Sequence, residues 1–144
     1  SFDFRLGVMV ETPRAALRAG DIAEHCAFLS FGTNDLTQMT FGLSRDDAGR
    51  FMGSYVGQGV YDEDPFSILD EQGVGELILT GVQRARDARP GITLSVCGEH
   101  GGNADSIDFC LRAGVDYVSC SPFRVPLARL AAARTSILRR SAND

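Results

Sequence analysis

Glu11, Asn34, Asp35 and Cys97 share one placement: each follows a short apolar run. Glu11 comes after Leu6-Gly7-Val8-Met9-Val10. Asn34 and Asp35 come after Ala27-Phe28-Leu29-Ser30-Phe31, and Cys97 comes after Ile92-Thr93-Leu94-Ser95-Val96. Ligands of α/β folds gather at the carboxyl ends of strands, so these are the positions where reactive side chains matter. Two carboxylates on neighbouring strand ends, with the Asn34 amide beside them, suit a hard divalent cation. Magnesium takes one or two protein carboxylates and leaves its other positions to water and substrate oxygens. A plainer reading stands beside this one, with Glu11 capping the next helix and Asp35 making a turn, and spacing alone tilts towards it. Gly32-Thr33-Asn34-Asp35 offers backbone N–H groups to an anion, as any strand-to-helix loop does. Cys97 precedes a glycine-rich turn, where a thiol can act as a nucleophile or as a proton donor. The commoner alternative is a buried structural cysteine.

The other chemistry-bearing residues carry weaker signals. Cys26, Cys110 and Cys120 fall within strand or helix patterns and read as core, and no CxxC spacing suggests zinc or a dithiol motif. His25 lies in a polar turn. His100 lies in the glycine-rich loop, with a structural or solvent-facing role set against a ligand contact. Arg124, after Ser121-Pro122, is placed for an anion contact, while Arg134, Arg139 and Arg140 read as a solvated helix end.

Positioning these residues requires a repeated unit. Four times an apolar run leads into small or polar residues and then a helical pattern; the fourth run is Tyr117-Val118-Ser119-Cys120. Continuous apolar runs suit strands buried on both faces of a parallel sheet. Helices are expected over Arg14 to Ala19, Gly75 to Ala88, Ser106 to Ala113 and Pro126 to Leu138. Pro90-Gly91 stops the second of these, and Gly114 closes the third. A long insertion, roughly residues 40–70, should hold short helices of its own. Four βα units make an α/β fold with a parallel sheet, either half of an eight-stranded barrel or a small open sheet.

Composition narrows the class. The 144 residues allow one core, and 44% apolar with 23% charged residues is ordinary for a globular protein. Fourteen basic against nineteen acidic residues, net −5, argues against nucleic acid and membrane surfaces as partners. No apolar run is long enough to span a bilayer, and Ser1-Phe2-Asp3-Phe4-Arg5 does not resemble a signal peptide. A cytoplasmic location with free thiols is therefore expected.

Three stretches taken together resemble the phosphoenolpyruvate-utilising enzymes: Gly7 to Ala16 (GVMVETPRAA), Ser30 to Gln38 (SFGTNDLTQ) and Cys97 to Gly102 (CGEHGG). Thr40 to Asp47 (TFGLSRDD), the His100-Gly101-Gly102 triplet and Tyr117 to Pro126 (YVSCSPFRVP) are most similar to the pyruvate, phosphate dikinase branch. The resemblance runs from about Gly7 to Ala133. Thr12 stands where relatives often carry a larger apolar residue. The resemblance implies that residues 1–144 form a single partial domain, the C-terminal half of a (β/α)8 TIM-type barrel of about four βα units. It implies Glu11 and Asp35 as Mg²⁺ ligands, with Glu11, Gly32, Thr33, Asn34 and Asp35 contacting pyruvate or phosphoenolpyruvate. Cys97 would be the residue that protonates the pyruvate enolate. It further implies phosphohistidine and nucleotide domains elsewhere in a full-length chain, and a fragment that is inactive alone. The exposed edges of a half barrel imply a homo-oligomer. Two other readings remain beside this one: a phosphoenolpyruvate synthase or Enzyme I relative, and a non-catalytic interaction module on the same half barrel.

Overall fold

A computed structural model describes residues 2–143. Four strands, β1 (Gly7–Val10), β2 (Phe28–Gly32), β3 (Thr93–Cys97) and β4 (Tyr117–Ser119), pair in parallel in the order β1-β2-β3-β4. Neighbours in the sheet are thus neighbours in sequence. The register is continuous: Val10 opposes Phe31, Phe31 opposes Val96, and Val96 opposes Val118.

The connecting helices are α1 (Pro13–Leu17), α2 (Ala19–Ala23), α3 (Thr33–Phe41), α4 (Arg45–Ala48), α5 (Met52–Gly57), α6 (Val74–Ala88), α7 (Ala104–Ala113) and α8 (Val125–Asn143). The main core joins one sheet face to α1, α2, α3, α6 and α7. Val10, Leu29, Phe31, Leu94 and Val96 meet Ala16, Ala19, Ala23, Leu36, Ile78, Ala85 and Phe109 there. Sequential parallel order with its core on one face is the architecture of half a (β/α)8 barrel. Doubly wound sheets instead reverse their strand order.

Local chemistry explains most element ends. Thr12 caps α1, its hydroxyl accepting from the Ala15 N–H at 3.1 Å, and Pro13 occupies the first turn. Asn103 caps α7 by accepting from the Ser106 N–H at 2.9 Å, and Gly114 closes that helix in a left-handed conformation. Arg89, the residue before Pro90, leaves the helical region with φ −144° and ψ 88° and ends α6. The single helix expected over Arg14 to Ala19 is instead two, broken at Arg18. The Arg18 N–H is shared between the Arg14 and Ala15 carbonyls, which tightens the last turn of α1 and redirects the chain.

The insertion between α3 and α6 contains α4 and α5 and has a small core of its own. Ala48, Met52 and Phe66 are buried there among Leu43, Phe51, Val56 and Tyr61. Tyr61 meets Phe41 edge-on at 5.6 Å between centroids. A third cluster seats α8 on α7 through Ile107, Ala128 and Ala131.

Candidate active site

Side chains alternate across a strand, so the buried face of each strand also fixes what the other face carries. With Val10, Phe31 and Val96 in the core, the opposite face holds three transverse layers. Gly7, Phe28 and Thr93 form the lowest, and Met9, Ser30, Ser95 and Tyr117 the middle. Gly32, Cys97 and Ser119 form the layer at the carboxyl ends, with Glu11 following Val10 beside them. Close approaches confirm the parity. The Phe28 ring lies where a Cβ on Gly7 would stand, and a Cβ on Gly32 would meet Glu11 Oε2 and Met9 Sδ, each at 3.2 Å. Gly32 therefore leaves open the space that the Glu11 carboxylate fills.

Glu11 does not cap the following helix; Thr12 does. Its carboxylate stays exposed above the sheet end. Asp35 lies in the first turn of α3, also exposed, and its Oδ1 accepts from Gln38 Nε2 at 3.1 Å. Gln38 Oε1 in turn accepts from the Arg45 N–H at 2.7 Å, which settles the orientation of the amide. Asn34 Oδ1 accepts from the Glu99 N–H at 3.1 Å, so the amide oxygen is turned to the β3 loop rather than to Glu11. Arg45 also approaches Glu99 at 3.5 Å.

Among the described residues, no three His, Cys, Asp or Glu side chains gather as a metal-binding group. A magnesium ion needs fewer. Glu11 and Asp35 supply exposed carboxylate oxygens, the donor type such an ion takes, and Glu11 Oε2 lies over the open space at Gly32. The residues present fit that ion.

Cys97 is half-buried at the end of β3 and lines a cleft of 230 Å³ with Gly98, Glu99, Ser119, Cys120, Ser121 and Arg124. The other cysteines differ. Burial raises the Cys26 thiol against the opposing effect of Arg89, and burial pushes Cys110 up to about 12. Those two are held neutral as core residues. Cys120 is half-buried and packs against the Ile107 cluster.

Thr33 and His100 point inward. Both are fully buried. The Thr33 hydroxyl donates to the Cys97 carbonyl at 3.2 Å and lies 2.8 Å from His100 Nδ1, while His100 Nε2 lies 2.9 Å from the Pro65 carbonyl. His100 is thus structural, and only the backbone of Thr33 remains for a ligand. Sequence reasoning missed Gln38, Ser119 and the Pro65 carbonyl. Strand parity would have found Ser119; no sequence signal marks the other two.

The model of the PEP-utilising enzyme, PEP-binding domain family matches residues 1–137. The chain is 57% identical over 134 residues to the pyruvate, phosphate dikinase of Clostridium symbiosum, covering 93% of this chain and 15% of that protein. It is 57% identical to pyruvate, phosphate dikinase 2 of Zea mays, with the same coverage. Against the pyruvate, phosphate dikinase of Rhizobium meliloti (strain 1021) the identity is 58% over 137 residues, 95% of this chain and 15% of the relative. The chain thus spans 15% of the length of these curated relatives. With its half-barrel sheet and a family match across nearly its whole length, this chain belongs to the PEP-binding domain family of the PEP-utilising enzymes.

Proposed function

We propose that this chain is the pyruvate/phosphoenolpyruvate-binding part of a pyruvate, phosphate dikinase. That enzyme interconverts ATP, phosphate and pyruvate with AMP, diphosphate and phosphoenolpyruvate. One observation carries the reading: Glu11, Gly32 and Cys97 share one open face at the carboxyl ends of adjacent strands. The identity to dikinases over 93% of the chain supports the choice of reaction.

Each residue has work suited to its type. Magnesium held by Glu11 and Asp35 would stabilise the negative charge that develops on the enolate oxygen. Gly32, lacking a side chain, lets the substrate approach the Glu11 carboxylate. The backbone N–H groups of Thr33, Asn34 and Asp35, at the uncapped start of α3, face anionic substrate oxygens. Cys97 gives its S–H proton to the methylene carbon of the enolate, forming the methyl group of pyruvate and leaving a thiolate. Phosphoenolpyruvate formation reverses that transfer. The chain acts in the cytoplasm within a longer protein whose other domains carry the nucleotide site and the phosphohistidine.

Calorimetric titration with oxalate, which mimics the enolate, tests the site. Binding should require Mg²⁺ and should weaken at least about tenfold in Glu11→Gln, the effect of losing one charged ligand. Equal binding by the variant, or binding indifferent to Mg²⁺, would overturn the assignment. The chain alone should not turn over ATP and pyruvate, because it covers 15% of the dikinases it matches; phosphoenolpyruvate formed by the purified chain would contradict that.

A further inference from the structure

Three loops meet behind Cys97. The Cys97–Gly98 peptide joins β3 to a 3₁₀ turn over Glu99–Gly102, and Gly98 has a φ of 137°, a conformation that side chains rarely adopt. A Cβ there would also lie 2.3 Å from Thr33 Oγ1. The hydroxyl therefore occupies the volume left by the missing side chain, and from it donates to the Cys97 carbonyl. Behind the hydroxyl, His100 spans from Thr33 to Pro65 in the insertion, contacts separated by 67 and 35 residues in sequence.

The proton count fixes the roles. A carbonyl only accepts, so His100 Nε2 carries the hydrogen shared with Pro65. Burial disfavours the charged ring, which leaves Nδ1 bare and accepting. The single Thr33 proton then lies between Nδ1 at 2.8 Å and the Cys97 carbonyl at 3.2 Å. The hydroxyl stands between both acceptors, so removing it ends the contact of each with Thr33.

We propose that Thr33 and His100 are positioning residues for Cys97, fixing the Cys97–Gly98 turn against the insertion so that the thiol faces the Glu11 side of the sheet. The proposal deepens the assignment of Cys97 as proton donor and rests on it for its catalytic meaning. A role confined to core packing would lower stability without altering the chemistry of one thiol.

The test is the alkylation rate of Cys97 by iodoacetamide across pH, resolved by peptide, with Cys120 as internal reference. Thr33→Val keeps the shape and removes the hydroxyl; Thr33→Ser keeps the hydroxyl. The valine variant should alkylate Cys97 roughly five- to tenfold faster, as expected when the turn loses a buried hydrogen bond. The serine variant should match the original chain, and Cys120 should be unaffected in both. Equal Cys97 rates in a folded valine variant would overturn the proposal. If the valine variant does not fold, nitrogen-15 spectra of the His100 ring in the unaltered chain decide. A hydrogen on Nε2 with bare Nδ1 is expected near neutral pH, and the opposite tautomer would sink the scheme. The oxalate titration judges the substrate site separately, since thiol alkylation requires neither metal nor substrate.

Discussion

The two faces of the sheet are built from the same four strands and behave as different materials. On one, Val10, Leu29, Phe31, Leu94 and Val96 are sealed under helices with no exposure at all. On the other, Met9 and Tyr117 remain 44% and 49% exposed, and the residues between them are Ser30 and Ser95. The first face holds the fold together through apolar burial. The second contributes little to that and carries the groups able to do chemistry. One-residue alternation is all that separates them, so a single register slip would exchange their roles.

The sharpest test of this division is a pair of truncations. Phe31→Ala on the covered face should cost about 3–5 kcal/mol in urea denaturation, from lost burial and the cavity left behind. A cost near zero would show that the helices do not depend on that face. Acidification probes the buried tie at the carboxyl end of the sheet. Burial holds the His100 pKa below its ordinary 6.5, so the unfolded chain takes up the proton first. The contribution is fully present above about pH 6.5 and declines as pH falls towards the lowered native value. Denaturation midpoints should therefore drop between about pH 7.5 and about pH 5.5, and less so in His100→Gln. An identical drop in that variant would assign the effect elsewhere. The smallest effect belongs to the open face: Met9→Ala should change stability by within about 0.5 kcal/mol. A loss approaching that of Phe31→Ala would erase the distinction.

Much of this was legible in the sequence. The four apolar runs become the four strands, with β2 and β3 each running one residue further towards the carboxyl end than the runs suggest. That shift puts Gly32 and Cys97 inside the paired region, because small and thiol side chains continue a ladder whose pairing is made by the backbone. Pro90 and Gly114 ended their helices as expected. The break at Arg18 was hidden because its neighbours are good helix formers, and only the tertiary path divides them. The positions of α4 and α5 were equally hidden, since an aromatic cluster rather than helical periodicity sets the insertion. Glu11, Asp35 and Cys97 stood out at strand ends. The inward turn of Thr33 did not, because its partners are Cys97 and His100, far along the chain.

The buried tie between the insertion and the loop after β3 ends on a main-chain carbonyl, that of Pro65, while at the surface Arg45 adds a side-chain contact to Glu99. Asp64 shapes the turn by accepting from the Phe66 N–H at 2.9 Å. The histidine thus senses where the chain runs at position 65 and not which side chain stands there, whereas the Arg45 contact depends on residue type.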